Sequence, residues 1–219
     1  MVRSPRRRRG RPPVEGLKEQ RREQILEAAT RIFARRGYPA TDLQEVADAI
    51  RVGKGTLYRY FPTKEALFLA AVERGIGRLS RQVQSRTEAL EDPLERIAAA
   101  VGAYLEYFSR NPEILELMAQ ERAVFKGRQP TYFAFLDARL GPWKELLRTL
   151  MARGRVRKMP VDRIVDVVGD AVYGTIVTDY FTGRRRTAEA QARDLLDVVF
   201  HGILTPEERR ARAAREKHP

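Results

Sequence analysis

"VGKGTLYRYF", residues 52–61, is the stretch on which the fold turns. Two readings compete for it. Glycine beside lysine and threonine suggests a loop that cradles phosphate. Tyrosines beside lysine and arginine suggest a surface for nucleic acid. A phosphate loop of the ATPase kind needs glycine, four residues, then Gly-Lys-Ser/Thr, opening a helix after a strand. Here the required first glycine would fall on Asp48, the residue after Lys54 is Gly55, and no strand-like run precedes it. The pattern fails on all three counts.

The flanking residues support the other reading. Leu43, Val46, Ala47 and Ile50 recur at helical spacing, a break follows at residues 51–53, and a second short helix over 54–61 is stopped by Pro62. Thr41 and Gln44 have the spacing of a capping box, so the first helix is expected to begin at Thr41. Two short helices across a tight turn make a helix-turn-helix, whose second helix meets base edges in the major groove. Leu57 and Phe61, four apart, point inward toward Ile25, Phe33 and Val46. Lys54, Thr56, Tyr58, Arg59 and Tyr60 are left on the other faces. Lysine and arginine read guanine, and threonine and tyrosine reach thymine methyls or phosphates.

Upstream, Ile25, Ala28, Ala29, Ile32 and Phe33 mark an amphipathic helix over 18–36, with Gly37 as its stop. Before it lies a run of arginine, proline and glycine (residues 1–16) with little to bury, expected to be a disordered basic arm. Within it, Arg6, Arg7, Arg8 and Arg9 are either a solubilising tail or a DNA-contacting arm.

Downstream, Thr63 can cap a long helix, and Asp92-Pro93 with Glu95, then Asn111-Pro112, are further start signals. A helix through Trp143 is expected to be interrupted or restarted at Gly141-Pro142. Two late helices follow, near 161–181 and 187–204, with a charged tail beyond. Nothing reads as a strand. The fold class is all-α: a three-helix N-terminal domain (17–63) carrying the helix-turn-helix, a larger helical ligand-binding and dimerisation domain (64–204), and a C-terminal tail (205–219).

Composition narrows the chemistry. The 219 residues carry a formal net charge of +13, which favours anionic partners, nucleic acid first. There is no cysteine, which removes disulfides, thiolate nucleophiles and zinc-cysteine sites and suits a reducing cytoplasm. His201 and His218 are the only imidazoles, so no metal and no cofactor are expected. No HExxH, GxSxG, dinucleotide fingerprint or Ser-His-Asp set is present, and no enzyme is expected. No apolar run approaches the ~18 residues of a membrane span.

The string from Gly37 to Phe68, and above all Lys54 to Leu67 (K-G-T-L-Y-x-Y-F-x-x-K-E-x-L), resembles the DNA-binding domain of the TetR family of bacterial transcriptional regulators. Over residues 18–70 the resemblance is close; beyond residue 75 it is one of architecture. It implies that Lys54, Gly55, Thr56, Tyr58, Arg59 and Tyr60 face DNA, that Thr41 and Lys64 hold phosphates, and that Gln44 reaches the groove. It also implies a homodimer joined through the last two long helices. Two residues depart from the family's turn: Arg51 stands where glycine would accept positive φ, at roughly 1 kcal/mol, and Gly53 replaces a capping hydroxyl.

In the late helices, Val168, Val172 and Ile176 form one apolar side and Leu195, Val199 and Ile203 another; either a dimer interface or an intrachain core accounts for them. For an effector pocket the candidates are Tyr104, Phe108, Met118, Glu121, Phe125, Trp143 and Tyr173, from a middle segment also holding Tyr132, Phe133 and Phe135. The expected protein is a cytoplasmic, homodimeric, ligand-responsive regulator, a repressor released from a palindromic double-stranded DNA operator by a small hydrophobic or aromatic effector. A non-specific nucleic-acid-binding protein is the alternative.

Overall fold

The computed structural model describes residues 15–183 and 186–201. Among them lie nine α-helices and no strand: α1 Glu15–Arg36, α2 Leu43–Ala49, α3 Lys54–Tyr60, α4 Lys64–Thr87, α5 Pro93–Arg110, α6 Pro112–Val124, α7 Thr131–Ala152, α8 Val161–Thr182 and α9 Ala188–His201. The chain forms two compact units, the first ending at Arg74 and the second beginning at Gly75, within α4. The sequence placed the division at 63/64. It falls later because the first turns of α4 complete the small unit's core. Phe68 meets Phe33 edge-on at 5.1 Å and Tyr38 at 5.1 Å, and Leu67, Phe68 and Val72 are fully buried. Arg74, its side chain buried, adds an ion pair to Glu23 at 2.6 Å.

The first unit buries Ile25, Phe33, Val46, Leu57 and Phe61, the inward set expected from the spacing. Gly37 has φ 82° and ends α1. The start of α2 differs from expectation. Asp42, not Thr41, caps it, accepting from the Gln44 N–H at 2.8 Å. Thr41 is 4% exposed, and both its hydroxyl and its N–H donate to the Gly37 carbonyl. The cap is therefore shifted by one residue: Asp42 accepts at the helix start, an aspartate being among the strongest capping residues, while the Glu45 carboxylate pairs with Arg36. Arg51 has φ 54°, the one positive φ of a non-glycine among the described residues. Gly53 caps α3 with no side-chain bond.

In the second unit α5 packs against α8 and α9. Leu147, Leu150 and Val161 are buried together, with Leu94, Ile97, Ile164 and Val165 against them. Asp92 caps α5 through the N–H groups of Leu94 and Glu95. Asn111 does not repeat that device. Its amide donates to the Tyr107 carbonyl at 2.7 Å, closing the end of α5 rather than capping α6.

Pro142 lies inside α7, which is a single helix rather than one interrupted there. Proline removes the hydrogen bond to the carbonyl four residues back. Ala138 and Pro142 are both exposed, so water can satisfy that carbonyl. The last helix is described to His201, and the tail beyond it lies outside the described residues, as does the arginine arm. No described helix is long and apolar enough to cross a membrane.

Candidate functional site

The first part of the site is α3 and its approach. Leu57 is the one buried residue of the helix, which leaves its five other side chains, and the Gly55 backbone, at least partly accessible. Tyr58 and Arg59 are exposed; Lys54, Thr56 and Tyr60 are half-buried. Gly55 is open, and a Cβ there would meet nothing within 4 Å, so the backbone at the helix start is accessible. The Arg59 guanidinium lies 5.8 Å from the Tyr60 ring centre.

Lys54 donates to Asp42 at 3.0 Å, a pairing the sequence did not reveal. The Gln44 N–H and the Lys54 ammonium together hold the Asp42 carboxyl below its ordinary range, and the same contact raises the Lys54 ammonium. Asp42 thus caps α2 and tethers the first side chain of α3. The signal for it was an aspartate three residues before Glu45, in competition with the Thr41–Gln44 pair.

Three other predicted contact residues are engaged inside the unit. Thr41 has both donors committed to Gly37, so it has none to offer a phosphate in this arrangement. The Gln44 amide donates to Asp48 at 2.7 Å. Lys64 donates to the Pro39 carbonyl at 3.1 Å and sits 4.9 Å from the Tyr38 ring centre; burial lowers its pKa. Arg6, Arg7, Arg8 and Arg9 fall outside the described residues.

The second part is a cavity of ≈ 680 Å³ between α6, α7 and α8. Of the predicted pocket residues, Met118, Glu121 and Tyr173 line it, joined by Tyr132, Phe133 and Val177 and by the charged Arg122, Lys126 and Arg128. Tyr132 stacks on Tyr173 at 5.9 Å. Burial pushes the Tyr132 hydroxyl far above its usual range, so it remains a neutral O–H at any ordinary pH. Glu121 is a buried carboxylate. It is 1% exposed, and its Oε1 accepts from both the N–H and the hydroxyl of Thr131, at 3.0 and 2.6 Å. Its Oε2 is buried without a partner.

The remaining candidates separate. Tyr104 and Trp143 line a different cleft of ≈ 520 Å³ between α4, α5 and α7. Phe108 lines a third of ≈ 330 Å³. Phe125 closes the end of α6 and lines none of these three. One sequence segment therefore feeds three spaces, because successive aromatics leave their helices in different directions.

The predicted dimer face also needs correction. Val172 and Ile176 are 7% and 5% exposed within the single chain, turned into the core against which α5 packs. Val168, Leu195 and Val199 are half-buried, and Ile203 lies outside the described residues. The apolar side chains left open on α8 and α9 are instead Val167 (60%), Phe181 (76%), Val198 and Phe200. His201 is exposed and faces Asp197 at 3.0 Å.

A small helix-turn-helix unit followed by a larger all-helical unit with a cavity of ligand size defines a ligand-responsive DNA-binding regulator. The family model for bacterial regulatory proteins of the tetR family matches residues 25–71. The HTH-type transcriptional repressor KstR of Mycobacterium tuberculosis is 35% identical over 192 residues, spanning 84% of this chain and 81% of that protein. KstR of Mycolicibacterium smegmatis is 34% identical over 196 residues, spanning 86% and 89%. The crystal structure of the regulator FadR from Bacillus subtilis, in complex with stearoyl-CoA, superposes with a TM-score of 0.69 at 17% identity, covering 83% of this chain and 99% of that one. The chain belongs to the TetR family of bacterial transcriptional regulators.

Proposed function

We propose that this protein is a homodimeric repressor that reads a palindromic operator with α3 and leaves it when a hydrophobic or aromatic effector fills the 680 Å³ cavity. The observation that carries this is the surface of α3: with Leu57 as its one buried residue, Thr56, Tyr58 and Arg59 remain available to base edges and phosphates, and Lys54 joins them once it leaves Asp42. Repression is supported by the KstR relatives, which are named as repressors. The size of the cavity suits a drug-sized molecule, and the aromatic rings of Tyr132, Phe133 and Tyr173 suit its hydrophobic or aromatic part.

Dimerisation is assigned to the open side chains of α8 and α9, Val167, Phe181, Val198 and Phe200, which pairing with a second copy would cover. Two recognition helices then meet two half-sites about one helical turn apart. The effector acts by binding the DNA-free arrangement more tightly than the DNA-bound one. α4 contributes residues to both units, so a shift of its second half is carried along the chain into the first. The protein works in the cytoplasm, without catalysis or a cofactor.

Selection from random duplexes, followed by binding at about 150 mM salt with excess competitor, tests the reading. At that salt non-specific binding is weak, roughly 10⁻⁴–10⁻⁶ M. A two-fold symmetric sequence bound orders of magnitude more tightly supports it. No enrichment, with binding lost uniformly as salt rises, rejects it in favour of a non-specific nucleic-acid-binding protein.

A further inference from the structure

The inner stripe of α4 carries a charge where helical spacing calls for an apolar residue. Leu67 and Ala71 are fully buried, and Arg74 continues their line along the helix. Its side chain is 6% exposed. The Arg74 Nε donates to Glu23 of α1 at 2.6 Å. Its Nη2 is buried with no hydrogen bond. The Glu27 Oε2, one turn further along α1, stands 3.9 Å from that nitrogen, while the Glu27 Oε1 accepts from Arg31 at 2.8 Å. A buried guanidinium with one direct acceptor is a poor source of stability, since an apolar side chain of similar volume often serves folding as well or better. What it supplies is direction. A guanidinium holds a carboxylate only along its fixed N–H directions, whereas apolar faces can slide over one another.

The carboxylate it holds sits beside a contact to the recognition helix. Arg22, the neighbour of Glu23, places its guanidinium 5.3 Å from the centre of the Phe61 ring, within the range of cation–π attraction. Phe61 is 4% exposed and closes α3, its N–H donating to the Leu57 carbonyl at 2.9 Å. Two consecutive residues of α1 thus hold the end of α3 and, through Glu23, the α4 residue at which the first unit ends.

We propose that Arg74 is a positioning residue for DNA reading: clamped to Glu23, it fixes α1 against the first turns of α4, and through Arg22 and Phe61 it fixes how α3 is presented. The proposal rests on the reading that α3 meets DNA, and adds to it a buried residue outside the helix-turn-helix.

The test uses the full-length protein with Arg74→Met, Glu23→Gln and both changes together. Methionine fills much of the arginine's space without its charge. Glutamine keeps an acceptor at a position 45% exposed, so Glu23→Gln alone carries both readings below should Arg74→Met fail to fold. Native-state hydrogen exchange without DNA is read first. Amides of residues 54–61 are expected to exchange about two- to fivefold faster in each single variant, the size of a lost cation–π contact, with those of 25–33 and of α5 unchanged. The double variant is expected to match the larger single effect, because both changes break one contact. No change at 54–61 in either single variant overturns the proposal. An equal rise throughout 25–61, which marks a loss of stability alone, overturns it as well, and so do effects that add. Operator binding is read second. The parent's preference for its selected operator, over the same sequence with a base pair inserted between the half-sites, is expected to fall about two- to fivefold in the variants. A role in stability alone lowers both affinities by one factor and leaves their ratio unchanged, and that result overturns the proposal too. If the parent selects no operator, the repressor reading fails, while exchange at 54–61 still decides the clamp.

Discussion

Gly75 gives the most demanding test of the packing in the second unit. Glycine in a helix interior ordinarily costs up to about 1 kcal/mol relative to alanine, so Gly→Ala at an open helical site stabilises. At Gly75 a Cβ would come to 2.6 Å from Ile114 Cδ1 and 3.2 Å from both Cγ atoms. The backbone there has little freedom to retreat, because its carbonyl accepts the buried Tyr107 hydroxyl at 2.6 Å. Ile114 is itself buried. Overpacking of this kind costs about 1–3 kcal/mol. Set against the propensity gain, Gly75→Ala should destabilise by roughly 0–2 kcal/mol. Gly77→Ala is the control. Its Cβ would meet only the far end of Arg81, at 3.7 Å, so it should stabilise by about 0.5–1 kcal/mol. Ile114→Val removes the nearest atom and costs about 0.5–1.5 kcal/mol alone. The double variant Gly75→Ala/Ile114→Val should lose less than the sum of the singles, by about 0.5 kcal/mol or more. Urea unfolding followed at Trp143, which lies in the same unit, reads all four at one fixed protein concentration. If Gly75→Ala stabilises as much as Gly77→Ala, or the double variant is additive, the close approach of α4 to Ile114 is wrong.

Asp42→Asn keeps an acceptor for the cap while releasing Lys54 and removing a negative charge beside α3; operator affinity should rise roughly two- to five-fold, and a fall would mean that Asp42 positions Lys54 instead. Tyr107→Phe leaves the Gly75 carbonyl without its buried donor and should cost about 1–2 kcal/mol by the same urea assay, with operator sequence preference unchanged. The Asp92 carboxyl is held below its ordinary value by Arg155 first and by the N–H groups of Glu95 and Leu94. Its contribution is therefore complete above about pH 4 and is lost as pH falls through the lowered folded value. Asp92→Ala should then lower stability at neutral pH and narrow the gap to the parent on acidification; a constant gap would refute the assignment. Deleting residues 1–11 should flatten the dependence of log K on log salt, by about 0.9 for each phosphate contact removed, if the arginines touch DNA. An unchanged slope would leave them a solubilising tail.

Sequence alone determined the first unit nearly to the residue, because local rules govern it. Helical spacing set Leu43, Val46, Leu57 and Phe61 inward, and Pro62 ended α3; the left-handed backbone at Arg51 came from the family resemblance, which has glycine there. These follow from properties of a few neighbouring residues, the range over which steric and capping preferences act. Even there the choice between Thr41 and Asp42 as the cap was decided in three dimensions, by the Gly37 carbonyl that takes both of Thr41's donors. The second unit was legible as helices but not as surfaces. Spacing assigns Val172 and Ile176 to one side of α8, yet whether that side meets α5 or a second copy depends on how the helices cross, to which sequence periodicity is blind. The same holds for the aromatics: Tyr104, Phe108, Met118 and Trp143 look alike as a list, and only packing divides them among three spaces. Glu121 shows the limit most sharply. Ten residues from Thr131 in sequence, it is buried because α6 and the start of α7 come together there and supply its hydrogen bonds. A charge is buried only where tertiary structure brings partners to it, and those partners are not its neighbours in the chain.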